Sequence, residues 1–167
     1  LSDSSVKLTG NKFQPIIPYE WYAQIPDSPS GTCNVTCTTY NGSSSLGDTT
    51  TTFSVTANRE KSKPKIDFGA MRVTADNGDI YAVELDNSIF VKHFSKIRID
   101  DGIYAQNYAK LKTTKITNGT QTVDGYYNSE NILAITLPQP ITNSTIDFVV
   151  TDSREYPNTK TYTIPSD

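Results

Sequence analysis

Chemistry-bearing side chains are scarce in this chain. Of its 167 residues only 20% are charged, one is histidine, two are cysteine and one is methionine. A zinc site takes about four ligands, mostly Cys or His, and His93, Cys33 and Cys37 do not supply them. A serine-type triad would have to use His93, and no nucleophile elbow accompanies it. No glycine-rich loop of the phosphate-cradling kind is present. The acids Asp76, Asp79, Asp86, Asp100 and Asp101 crowd expected turns, but Asp76-Asn77-Gly78-Asp79 lacks the spacing of a calcium-binding EF-hand loop. They read as solvated turn carboxylates. The expectation is a non-enzymatic protein with no cofactor and no metal.

Other absences narrow the class further. No lysine or arginine cluster stands out that could track a phosphate backbone, the net charge is -3, and the isoelectric point is about 5.1, so no nucleic-acid partner is expected. No apolar run approaches the roughly 18 residues that would cross a bilayer as a helix, so no membrane insertion of the mature chain is expected. Leucine and the other strong helix formers are few. In their place stand Thr, Ser, Asn and Tyr, and the mean hydropathy is -0.46.

Alternation at period two then sets the fold class. Phe53, Val55 and Ala57 alternate with hydroxyl residues, and Met71, Val73 and Ala75, then Tyr81, Val83 and Leu85, and later Ile146, Phe148 and Val150 also recur at every second position. The phase change at Gly69-Ala70 predicts a β-bulge. Asn77-Gly78 and Asp101-Gly102 predict hairpins, and Asp124-Gly125 a third turn. Residues 103–112 admit a short helix as an alternative. Ile132–Leu137 forms a dense run closed by Pro138, and Tyr162 and Ile164 end the chain's pattern. About eight short strands with regular turn signals predict an all-β, immunoglobulin-like or pilin-like β-sandwich spanning residues 32–167. Residues 32–50 read as a loop. Residues 1–31 differ: Pro15, Pro18, Pro26 and Pro29 argue against a helix or central strand, so this part is expected to be an extended tail and linker.

Three features speak to compartment. Cys33 and Cys37 read as a disulfide that pins the linker to the body, which implies an oxidising environment. Four sequons lie at Asn34, Asn41, Asn118 and Asn143, each in a stretch that reads as surface turn or loop, where a glycan must sit. The Leu1 start with its serine-rich sequel fits a mature, secreted chain whose signal peptide has been removed. Extracellular, cell-surface localisation with N-linked glycans is the expectation.

Within residues 4–17, Val6, Leu8 and the small Gly10 alternate with Lys7 and Thr9, and Phe13 and Ile16 follow. Such a segment suits either the first strand of its own sandwich or donation of a strand to another chain. Serial donation is head-to-tail and builds an open filament. On this tail pattern, the hydroxyl-rich β composition and the sequons, the chain resembles the subunits of archaeal thread filaments of Sulfolobales, which are type-I-pilin-like. The resemblance implies a homopolymer of identical subunits joined by donor-strand complementation, with roles in adhesion or biofilm. The alternative is a secreted carbohydrate-binding or viral attachment domain using Trp21 or Tyr126-Tyr127.

Overall fold

A computed structural model describes residues 18–70, 72–75, 83–84, 93, 95–99, 101–127 and 133–164. In chain order these form a 3-10 helix η1 (Tyr19–Gln24), strands β1 (Ser30–Asn41) and β2 (Ser44–Thr56), and a single helical turn α1 (Arg59–Ser62). Then follow β3 (Lys65–Ile66), β4 (Arg72–Ala75), β5 (Val83–Glu84), β6 (Ile97–Ile99), β7 (Ile103–Tyr104), β8 (Leu111–Asn118) and β9 (Gln121–Asp124). The series ends with β10 (Tyr126–Tyr127), β11 (Leu133–Thr136), β12 (Thr145–Asp152) and β13 (Pro157–Thr163). The fold is all-β, as the composition requires.

Two larger sheets carry the body. One has the order β13-β12-β8-β9 and the other β10-β11-β6-β4-β5, with β3 and β7 paired alongside. In β12 the expected alternation is realised: Ile146, Phe148 and Val150 are fully buried, while Asp147 and Val149 face outward. Ile116 and Leu111 of β8 and Tyr162 of β13 join them in one apolar cluster. Ile99 of β6, Ile135 of β11, Ile66 of β3 and Ile103 of β7 also belong to it, with Leu137 and Ile141 from the segment after β11, so residues of three sheets share a single core. The Phe68 ring stands 5.4 Å from Phe148 and 5.3 Å from Tyr162. Burying side chains of this size contributes roughly 1.5–3 kcal/mol each, which is where the fold's stability is concentrated.

Several turn signals act differently from their sequence reading. Gly69-Ala70 is no bulge: residues 68–70 form a turn, closed by the Ala70 N–H donating to the Asp67 carbonyl, that separates β3 from β4. Asp101-Gly102 links β6 to β7, which belong to different sheets, so it makes no hairpin. Asp124-Gly125 is the point at which the chain leaves the four-stranded sheet and enters the five-stranded one, with the Gly125 N–H bonded to the Thr114 carbonyl. Residues 103–112 contain β7, a turn and the start of β8 rather than a helix. β4 and β5 do pair antiparallel across Asn77-Gly78, with Arg72 opposite Glu84; the turn itself lies outside the described residues. A hairpin that was not expected joins β8 to β9 through Gly119, whose φ of 61° is the left-handed value such a turn needs.

The N-terminal third departs most. Pro18 is the N-cap of η1, and a short 3-10 turn fits between Pro18 and Pro26 because proline is tolerated at a helix start. The segment is therefore not wholly extended. Residues 32–50 are not a loop. They belong to a long antiparallel ribbon in which, among the described residues, β1 and β2 pair only with each other. Gly42 sits at its tip with a φ of 63°.

Candidate functional site

The ribbon is the feature of this molecule that its core does not explain. β1 and β2 are 12 and 13 residues long, yet no residue between Ser30 and Thr56 belongs to the apolar cluster. Every residue from Thr39 to Thr52 is exposed, including Tyr40 at 61% and Leu46 at 66%. Half-buried residues are Gly31, Cys33, Val35, Phe53 and Val55, on one face near the root, and Thr38 further along β1 on the other face. An isolated two-stranded hairpin is marginal in water, so what holds this one is its root and its hydroxyl ladder. Thr36 and Thr50, directly opposite one another, are hydrogen-bonded through their hydroxyls at 2.9 Å. A bulge places Leu46 between the Tyr40–Ser45 and Thr39–Gly47 pairs.

The turn between β12 and β13 clamps both legs of the root. Arg154, 1% exposed, donates from Nε to the Ile25 carbonyl at 3.0 Å and from Nη1 to Gln106 at 3.2 Å. Its Nη2 reaches the carbonyls of Tyr22, at 3.3 Å, and Asn107, and the guanidinium lies 5.7 Å from the Tyr22 ring centre. Ser153 Oγ donates to the Pro26 carbonyl at 2.7 Å. These bonds fix the entering leg. The Tyr156 hydroxyl donates to the Ala57 carbonyl at 2.9 Å and fixes the leaving leg. Asp152 organises the turn: its Oδ1 accepts from the N–H groups of Arg154 and Tyr156, while Oδ2 has no partner. Burial pushes the Asp152 carboxyl above its ordinary range, against the pull of the Tyr156 and Arg154 N–H groups and the Arg154 charge. A Cβ on Gly31 would come within 2.7 Å of Ile25 Cγ2, so glycine is what lets η1 approach the ribbon. Trp21, Tyr22, Gln24 and Ile25 then face Gly31, Cys33 and Val55 across a cleft of about 210 Å³.

The residues singled out by sequence fall in four places. The donor-strand residues Val6, Leu8, Gly10, Phe13 and Ile16 lie outside the described residues. Asn34 and Asn41 are exposed on β1, and Asn143 is exposed in the turn before β12, as a glycan acceptor must be. Asn118 is a correction. It is 1% exposed; its Nδ2 donates to the carbonyls of Asn143 and Thr145, and its Oδ1 accepts from Thr142 and Asn143. A sugar on that nitrogen would break bonds that a buried amide needs, so Asn118 is a structural clamp.

The Cys33–Cys37 disulfide is also corrected: both thiols are free. Four residues along one strand separate the Cα atoms by about 13 Å, and a disulfide spans less than about 7 Å. His93 is exposed, with a φ of 65° and its N–H bonded to the Ile141 carbonyl, which makes it a turn residue. Among the described residues no three metal-ligating side chains converge. Sequence reading missed Arg154 and Asp152, whose surroundings come from distant segments. No family model matches this chain, and neither does any curated protein or solved structure.

Proposed function

We propose that this protein is a structural subunit of an extracellular surface filament, a glycosylated β-sandwich that polymerises head-to-tail by donating its N-terminal strand to the next subunit. The observation that carries this reading is the supply of open strand edges. Among the described residues β1 and β2 have no third strand, and β9 and β13 end the four-stranded sheet without a described neighbour on that sheet's outer sides. Open edges are rows of unpaired hydrogen-bonding groups, and strand addition is the usual way to use them. The hydroxyl-rich exterior, the three exposed sequons and the apolar alternation of Val6 and Leu8 support the same reading, in line with the resemblance to thread subunits. Negative-stain electron microscopy tests it: fibres one subunit wide are expected, and Leu8→Asp is expected to abolish them while the body stays folded. Normal fibres from that variant would overturn strand donation.

A second reading rests on the cleft lined by Trp21 and Tyr22, which has the aromatic character of a sugar-stacking site. Saturable binding of a glycan that is lost in Trp21→Ala, from protein that forms no fibres, would favour a carbohydrate-binding domain instead.

A further inference from the structure

We infer that the outer edge of β1 pairs with the same edge of a second copy, about a two-fold axis at Val35, and that two interchain disulfides, each joining Cys33 to the partner's Cys37, seal the contact. This goes beyond tail donation, because an isologous contact closes at two copies whereas a head-to-tail one does not.

The argument starts from which backbone groups are free. Ala57 N–H donates to the Pro29 carbonyl at 2.8 Å, and these two residues continue the β1–β2 register. Opposed residues in an antiparallel pair alternate between bonded and non-bonded. Gly31, Cys33, Val35 and Cys37 therefore spend their backbone groups on β2. Thr32, Asn34, Thr36 and Thr38 point theirs away from it. Ser30 agrees with this parity: its outward N–H and carbonyl are both engaged by the Ser28 hydroxyl. At the other end the bulge after Thr39 breaks the regular ladder. The free outward set thus runs from Thr32 to Thr38, and its midpoint is Val35.

Antiparallel pairing of this set with itself places Thr32 opposite the partner's Thr38 and Asn34 opposite the partner's Thr36. Every outward group from Thr32 to Thr38 is then bonded. The cysteines fall at the positions between. Cys33 stands opposite the partner's Cys37 in a non-hydrogen-bonded pair, where Cα atoms lie about 4.5 Å apart, within the range a disulfide spans. Both thiols are on one face of the ribbon. The spacing that forbids a bond within one chain is the spacing that a two-fold about Val35 requires between chains.

Nothing on β1 opposes this contact. Ser30–Asn41 holds no charged residue and no proline, the usual guards of an exposed edge. Asn34 projects from the face opposite the thiols, so modification of its amide leaves the edge free. For each bond two S–H groups are lost and one S–S bond forms. A small-molecule disulfide such as oxidised glutathione takes up the two electrons and two protons and is cleaved to two thiols.

The test uses the full chain, incubated with oxidised and reduced glutathione and resolved by non-reducing electrophoresis and intact mass. The native protein is expected as a covalent dimer that a reductant returns to monomer. Each bond needs one cysteine of each kind, so Cys33→Ser alone and Cys37→Ser alone are expected to stay monomeric. A mixture of the two, one of them isotope-labelled, is expected to give a heterodimer only. Thr36→Pro removes an outward N–H of β1 and is expected to prevent the dimer. Thr50→Pro makes the matching change on the outer edge of β2 and is expected to spare it. Homodimers from either single-cysteine variant, an oxidised native chain that stays monomeric, or equal behaviour of the two proline variants would overturn the proposal.

Discussion

β12 and β2 are both antiparallel strands of this chain, and they are held by different things. β12 has neighbours on both sides and places Ile146, Phe148 and Val150 at zero exposure in the shared core. β2 has one neighbour among the described residues, and its residues from Ser44 to Thr52 are all exposed. The difference teaches that alternating apolar residues report burial, not strand formation. A strand in the body is specified by the face it hides, and a one-residue slip would turn that face to water. The ribbon has little to hide. Its register comes from a two-residue turn at Gly42, a hydroxyl pair at Thr36–Thr50 and a clamped root.

That contrast can be broken at its strong end first. Phe148→Ala removes a fully buried ring that touches Phe68 and should destabilise the protein by about 3–5 kcal/mol in urea unfolding. A loss below about 1 kcal/mol would mean that the body lacks the tight core described above.

Arg154→Ala should come next. It strands the carbonyls of Tyr22, Ile25, Gln106 and Asn107 at a cost of about 3 kcal/mol. Unlike the Phe148 change, it should also speed amide exchange at the ribbon root while leaving β12 protected in the folded state. Uniformly faster exchange would show that root and core are one cooperative unit.

Asp152 sharpens the comparison through pH. Its carboxyl is held above its ordinary range by burial, so it binds its proton more tightly folded than unfolded. That contribution is complete below the ordinary carboxylate range and is lost as pH rises through the folded value. Asp152→Asn keeps a neutral acceptor for Arg154 and Tyr156. Its stability relative to the native chain should therefore improve as pH is raised from acid to neutral, followed by thermal unfolding. Parallel curves would rule out the buried carboxyl as the source.

The smallest effect belongs to the ribbon. Thr36→Ala and Thr50→Ala should each change the stability of the reduced monomer by less than about 0.5 kcal/mol, because their hydroxyls are exposed. A larger loss in equilibrium unfolding would show that the ribbon supports the body.

Much of the body could be read directly. The alternation of Ile146, Phe148 and Val150 named the inward face of β12, and Tyr162 and Ile135 joined the core as their runs implied. The ribbon could not be read that way, because Thr-rich segments carry no burial contrast and look like loop. The Asn41-Gly42 signal was present, as was Asn118-Gly119, but each is also the start of a sequon. Asn118 shows the limit of motif reading: the triplet is the same whether the amide faces solvent or the backbone of Thr142–Thr145.

Composition and period by themselves determined that this chain is built of strands, where its densest core strands lie, and that its polar surface is hydroxyl-rich, since these depend on neighbours one or two residues away. Tertiary structure alone decided which strands share a sheet, that Arg154 joins segments more than a hundred residues apart, and that Cys33 and Cys37 stand too far apart to bond within the chain. Those outcomes depend on distances between residues remote in sequence, or on whether a short segment is coiled or extended, and a local pattern fixes neither.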